Sequence, residues 1–174
     1  MLRVAITAAV ALLALAGCGS SAASETAAPA TSATAEAKAD GLTVRDPWVK
    51  AADSGMTAAF ATLVNNTGAD VTVESATSPA SPIELHTMAM KDGKMVMQPK
   101  QGGFVIKAGA THELAPGGDH LMLMQPAAAI KPGDELTFTL KLSGGASVEF
   151  KAVAKPFAGA QESYDPGMEM GTHS

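Results

Sequence analysis

The sequence predicts an all-β domain over residues 42–156, either a sandwich of two packed antiparallel sheets or a Greek-key barrel. Three observations carry this. Apolar and polar residues alternate in short runs, no stretch sustains a helical period, and turn chemistry breaks the chain at short intervals. The candidate strands are roughly 42–50, 56–65, 70–77, 82–90, 94–98, 104–107, 111–114, 119–125, 135–142 and 147–154. Between them stand Asn65-Asn66-Thr67-Gly68, Asp92-Gly93, Gly102-Gly103, Pro116-Gly117-Gly118, Pro132-Gly133-Asp134 and Gly144-Gly145. The scattered aromatics Trp48, Phe60, Phe138 and Phe150 are assigned to the core, with no binding role. No internal repeat is visible.

The chain before this domain has a different composition. Arg3 is followed by an apolar run from Val4 to Leu15, then by Ala16 and Gly17 before Cys18. A membrane-spanning helix needs about 20 apolar residues, so this shorter run reads as a secretory signal over 1–17. The segment Leu15-Ala16-Gly17-Cys18 resembles the lipobox of bacterial lipoproteins, which implies cleavage before Cys18 and lipid on its sulfur. Two or more acyl chains, at about 0.8 kcal/mol per buried CH₂, hold a protein stably at a membrane surface. Residues 18–41 are dominated by Ala, Ser, Thr and Glu, without a large apolar side chain to repay ordering, and are expected to be a flexible linker. A flexible tail is expected over 157–174. The protein is therefore expected outside the cytoplasm, anchored by lipid.

Several chemistries are excluded early. A net charge of −5 with no basic cluster argues against nucleic acid as a partner. Cys18 is the single cysteine, so the domain has no disulfide, cysteine zinc site or thiol nucleophile. There is no paired carboxylate set, nucleophile motif or phosphate loop, so no enzyme is expected. Glu113 and Asp119, near His120 in sequence, have no catalytic spacing.

What stands out is sulfur. Six of the ten methionines lie between Met88 and Met124, in the strings His86-Thr87-Met88-Ala89-Met90 and His120-Leu121-Met122-Leu123-Met124, with Met95-Val96-Met97 between them. Each string has period two, which in a strand places its His and Met on one face and Leu85, Thr87, Ala89, Val96, Leu121 and Leu123 on the other. Lys91-Asp92-Gly93-Lys94 is a type I′ hairpin signal. With Lys91 facing Lys94, Met90 stands opposite Met95, Met88 opposite Met97, and His86 diagonal to Met97.

Thioethers are soft, neutral donors, and with imidazole they select copper(I) over zinc, magnesium or calcium. Thiolates also bind copper(I) but are oxidised outside the cytoplasm. Imidazole must be neutral to ligate, so binding is expected to weaken below pH ~6.5. Two plainer readings exist: methionines filling a core, or a Met-rich surface gripping apolar peptides. Neither calls for His86 or His120.

The segment Glu84 to Pro126, with His86, Met97 eleven positions on, and Pro116-Gly117-Gly118-Asp119-His120-Leu121-Met122-Leu123-Met124, resembles the PCuAC-type periplasmic copper chaperones. A looser likeness extends over about 42–155 and includes Trp48 and the Asn65-Asn66-Thr67-Gly68 turn. The resemblance implies a cupredoxin-like β-sandwich without the blue-copper cysteine, holding copper(I) through His86, Met97, His120 and Met122. Spacing from Met97 to His120 is one residue longer than the family's, which leaves Met95 as the alternative to Met97. Met88, Met90, Met95 and Met124 are candidate auxiliary donors or an approach surface for the ion. Met168, Met170 and His173 in the tail are candidates for a second ion, copper(II), with a tail of no function as the alternative. His112 reads as an exposed strand histidine.

The function so implied is an extracytoplasmic copper(I) metallochaperone that supplies cytochrome c oxidase at the dinuclear centre of its subunit II, together with a thioredoxin-like Sco-type protein. A copper-sequestering resistance lipoprotein and a non-metal peptide-binding sandwich are the alternatives. An electron-transfer cupredoxin is disfavoured, because a blue-copper site needs a cysteine thiolate.

Overall fold

The computed structural model describes residues 36–39 and 41–159. Among these it has eleven strands and no helix: β1 (Glu36–Ala39), β2 (Leu42–Lys50), β3 (Thr57–Asn65), β4 (Val71–Thr77), β5 (Ile83–Lys91), β6 (Lys94–Pro99), β7 (Phe104–Ile106), β8 (Thr111–Leu114), β9 (His120–Leu123), β10 (Glu135–Leu142) and β11 (Ser147–Lys155). The all-β expectation holds, and each candidate strand has its counterpart within a residue or two. Strand β9 is shorter than its 119–125 expectation: the ladder ends at Leu123, beyond which Met124 N donates to the Pro82 carbonyl at 3.0 Å and Gln125 N to Ser81 Oγ at 3.0 Å.

One strand falls where composition gives a linker. Residues 36–39 pair antiparallel with Leu42–Arg45 of β2, inside the 18–41 segment. Main-chain hydrogen bonds alone add a strand to a sheet edge, and they ask for no large apolar side chain.

Hydrogen bonding runs through the order β6-β5-β9-β3-β2-β11-β10-β4-β7, with β1 on β2 and β8 on β3. Strands distant in sequence lie side by side, as Greek-key connections produce. All pairings are antiparallel except β11 with β2. Strand β2 bends at a bulge between Arg45 and Trp48, where Asp46 has φ 50° and Pro47 has no N–H to give. Aspartate tolerates that left-handed backbone better than most residues, and proline sits without loss where the ladder is interrupted.

The main core lies between the inner faces. Leu42, Val44, Leu63, Phe104, Phe138 and Leu140 are fully buried there. Strands β10 and β11 alternate buried and open positions along their length, as strands with one wet face do. Their Phe138 and Phe150 stand directly opposite, with ring centroids 5.3 Å apart and 15° between planes. That stacking adds about 0.5–1.5 kcal/mol to what burial alone contributes.

Strand β9 is the exception to alternation, for all four of its residues are buried. Leu121 and Leu123 enter the main core, while His120 and Met122 point the other way and are covered there too. An antiparallel strand covered on both faces shows that the outer face of the sheet carries a second packed cluster.

Asn65, at the end of β3, is 1% exposed and ties three segments together. Its Nδ2 donates to the carbonyls of Ala69 at 2.8 Å, Ile106 at 3.0 Å and Lys107 at 3.1 Å. Its Oδ1 accepts from Thr67 N at 2.9 Å and Thr67 Oγ1 at 2.7 Å. Asn65→Ala strands these buried partners, and is expected to lower stability by about 2–4 kcal/mol. Urea unfolding checks this: the midpoint falls while the slope stays constant.

Candidate metal centre

The β5–β6 hairpin has the register read from its turn. Lys91 pairs with Lys94, Met90 with Met95 and Met88 with Met97. Asp92 and Gly93 have φ of 52° and 76°, the two left-handed residues of a type I′ turn, whose twist matches that of the flanking strands. Strand β6 ends the sheet and closes at Pro99, a residue that blunts an edge.

The other side of β5 pairs with β9, and the register sets His86 opposite His120 and Glu84 opposite Met122. Strand β9 pairs onward with β3, where Ala58 meets Met122. Period-two alternation then gathers His86, His120, Met97 and Met122 on the outer face of one four-strand patch. All four are buried, His86 completely. The cover comes from side chains rather than from a second sheet: Met97, Met122, Ala58 and Phe60 form the cluster, with Met88, Met124 and Trp48 packed half-buried against it.

The two imidazoles are 5.8 Å apart between centroids, edge to face. His120 Nδ1 lies 2.9 Å from the Gly118 carbonyl oxygen, and its Nε2 lies 2.9 Å from Met97 Sδ. A carbonyl only accepts, so the Nδ1 proton belongs to that hydrogen bond. In neutral imidazole the Nε2 lone pair then faces the thioether sulfur, and two Lewis bases abut. A cation resolves that junction: either a second proton on the ring or a soft metal ion. Orienting a ligating imidazole by hydrogen-bonding its other N–H to a carbonyl is the usual arrangement at metal sites.

His86 shows the same logic with a carboxylate. Its Nε2 lies 2.8 Å from Glu84 Oε2, so Nε2–H donates to the carboxylate and the neutral ring keeps its lone pair on Nδ1. Among the described residues no group of three or more His, Cys, Asp or Glu side chains converges. The convergent donors here are two imidazoles completed by thioethers, a set suited to a soft ion and poorly suited to magnesium or calcium.

The sequence leaves Met95 as the alternative to Met97, and the two are placed differently. Met97 touches His120, whereas Met95 lies one pair further toward the turn and is 48% exposed. The structure also corrects one assignment. His112 is not an exposed strand histidine: it is half-buried, stacked on Phe104 at 5.4 Å, with Nε2 3.1 Å from Asp119 Oδ2. The core assignment of the aromatics holds with a division between two clusters: Phe138 and Phe150 lie in the main core, while Phe60 is buried in the smaller outer cluster with Trp48 packed half-buried against it, their centroids 4.6 Å apart and Phe60 6.2 Å from His120. Glu84, which sequence reasoning passed over, had one signal: it precedes His86 by two positions, on the same face. Cys18, Met168, Met170 and His173 lie outside the described residues.

A sheet of this topology with an imidazole and thioether cluster on its outer face defines a class, the cupredoxin-like PCuAC fold. Similar solved structures include the copper-bound PCuAC domain from PmoF2, 15% identical, covering 70% of this chain and 98% of that one with a TM-score of 0.58. The apo PCuAC domain from PmoF1 is 20% identical over 70% of this chain and 99% of that one, also with a TM-score of 0.58. Apo-DR1885 from Deinococcus radiodurans is 24% identical over 86% and 97% of the two chains, with a TM-score of 0.50. Residues 42–154 match the family described as "Putative lipoprotein LpqE-like". The chain is 41% identical over 161 residues to "Putative lipoprotein Lxx21020" of Leifsonia xyli subsp. xyli, spanning 92% of this chain and 93% of that protein. It belongs to the LpqE-like lipoprotein family.

The hydrogen bonds fix opposite tautomers for the two histidines. In the metal-free protein at pH ~8, long-range ¹H–¹⁵N spectra are expected to show His120 protonated on Nδ1 and His86 on Nε2. The reverse tautomer at His120 would contradict the site geometry.

Proposed function

We propose that this protein is an extracytoplasmic copper(I) metallochaperone, which binds one ion through His86, Met97, His120 and Met122 and passes it to another protein. The observation that carries the proposal is the junction of His120 Nε2 and Met97 Sδ at 2.9 Å, with the far ring nitrogen committed to Gly118. Two neutral nitrogens and two neutral sulfurs leave the ion its single positive charge. The part-exposed Glu84 carboxylate beside the buried His86 ring offsets some of that charge. Thioethers hold copper(I) without the tenacity of thiolates and resist disulfide formation, and both properties suit cargo that must be released. A PCuAC domain of the same fold that is copper-bound supports the choice of metal.

Family membership supports a lipoprotein, and the proposal adds attachment through Cys18 to the extracytoplasmic face of a membrane. Among the described residues no helix is long and apolar enough to cross a membrane. The recipient proposed is the copper centre of cytochrome c oxidase subunit II, with a Sco-type protein as co-worker; this part rests on the resemblance to PCuAC chaperones. One compact four-donor cluster supports transfer of single ions over storage of several. The work is binding and release rather than catalysis. A copper(II) site at Met168, Met170 and His173 remains part of the proposal on the chemistry of those side chains alone.

Anaerobic copper(I) titration against a competing chelator tests the site. The wild type is expected to take one tight ion, and His120→Ala or Met122→Ala to weaken it by about 100-fold or more, about 2.7 kcal/mol. Equal affinity in all three proteins would remove the site. Because both imidazoles must be neutral to ligate, affinity is also expected to fall as the solution is made acidic, with a slope approaching two protons per ion. A pH-independent affinity would exclude histidine ligation.

A further inference from the structure

The four buried donors leave part of the sulfur unexplained. Met90 and Met95 stand directly opposite each other one pair from the hairpin turn, and are 67% and 48% exposed. They share a face with Met88 and Met97, the next pair inward. Neither belongs to the main core or to the cluster around His120. A single exposed apolar side chain needs no explanation, but an opposed pair of thioethers continuous with a buried nitrogen and sulfur site is a different matter.

Resting on the copper reading above, we propose that Met90 and Met95 form an outer docking station for a soft monovalent cation, and that Met88 carries the ion from there to the buried centre. Directly opposed side chains have Cβ atoms about 4.5–5.5 Å apart, close enough for two long thioethers to hold one ion between them. Same-face positions follow each other at about 7 Å along a strand, a gap the three rotatable bonds of methionine can sweep. Met88 is placed for both tasks: two residues from Met90 on β5, opposite Met97, and packed half-buried against the inner cluster.

The donor count rises inward. Two sulfurs at the tip give a weak, fast-exchanging site; the inner face adds two imidazoles and so holds the ion more tightly. Each step is a ligand exchange in which one sulfur–metal bond breaks as the next forms. The ion keeps its single charge, no proton moves and nothing is oxidised. The buried donors are thus loaded from an exposed station without the cluster having to open to solvent.

Silver(I), a soft and redox-inert monovalent ion, is the probe. In the protein labelled with ¹³C at the methionine methyls, the first equivalent is expected to shift Met97 and Met122, which reports on the inner centre. Further equivalents are expected to shift Met90 and Met95 in fast exchange, which reports on the outer station. The double variant Met90→Leu/Met95→Leu, altered only at exposed positions, is expected to keep the first-ion affinity within about 2-fold and to load copper(I) from a chelator about 5-fold or more slowly. Unmoved Met90 and Met95 methyls in excess silver(I), or wild-type loading in the double variant, would overturn the station. The inner centre is judged separately, by Met97 and Met122.

Discussion

The pairing of His86 with His120 across β5 and β9 is the constraint on which the rest of the site depends. Because side chains alternate faces, that one register simultaneously fixes Glu84 opposite Met122 and sends Leu85 and Leu121 into the main core. A slip of β9 by one residue would turn His120 and Met122 into the main core and Leu121 and Leu123 into the outer cluster. The apolar packing of Ile83, Leu85, Leu121 and Leu123 therefore acts as the alignment device for chemistry on the opposite face. Folding energy and donor geometry are two readings of the same ladder.

Burying a cation site usually means burying charge, which costs several kcal/mol per ion even after relaxation. Here the candidate donors are neutral, and the thioethers are apolar enough to pack as core residues. Met97 and Met122 accordingly join Phe60 and Ala58 in a small cluster of ordinary apolar character. The two histidines carry the polar burden, and each delegates one nitrogen to a fixed partner, Gly118 O or Glu84. The aromatic wall of Trp48 and Phe60 closes the side of the cluster toward β2 and β3. The four side chains are thereby buried and the two rings oriented.

Much of this was legible because period two and turn chemistry are local signals. The Asp92-Gly93 turn sets the β5–β6 register, and with it the face shared by Met88, Met90, Met95 and Met97. The choice between Met95 and Met97 was not legible, since both occupy that face and differ only in which lies nearer His120, a contact made by a strand 23 positions away. The roles of Trp48 and Phe60 depend on which side of a both-face-covered sheet they occupy, and alternation gives a side without saying what covers it. His112 was misjudged for a similar reason: its stack on Phe104 and its approach to Asp119 come from β8 lying along β3. Strand β1 escaped notice because main-chain pairing leaves no compositional trace.

The two connections that bracket the donors differ in what they tolerate. From β6 to β9 the chain runs through β7, β8 and several glycine turns, and the position of β9 is set by its partners β5 and β3 rather than by its covalent distance from Met97. Additional length there would change a loop and leave Met97 and His120 in place. At Asp92-Gly93 there is no such slack, because the tightest hairpin joins adjacent donor strands directly. Grafting, tagging or natural drift in length thus has a permissive window on one side of Met97 and a forbidden point on the other.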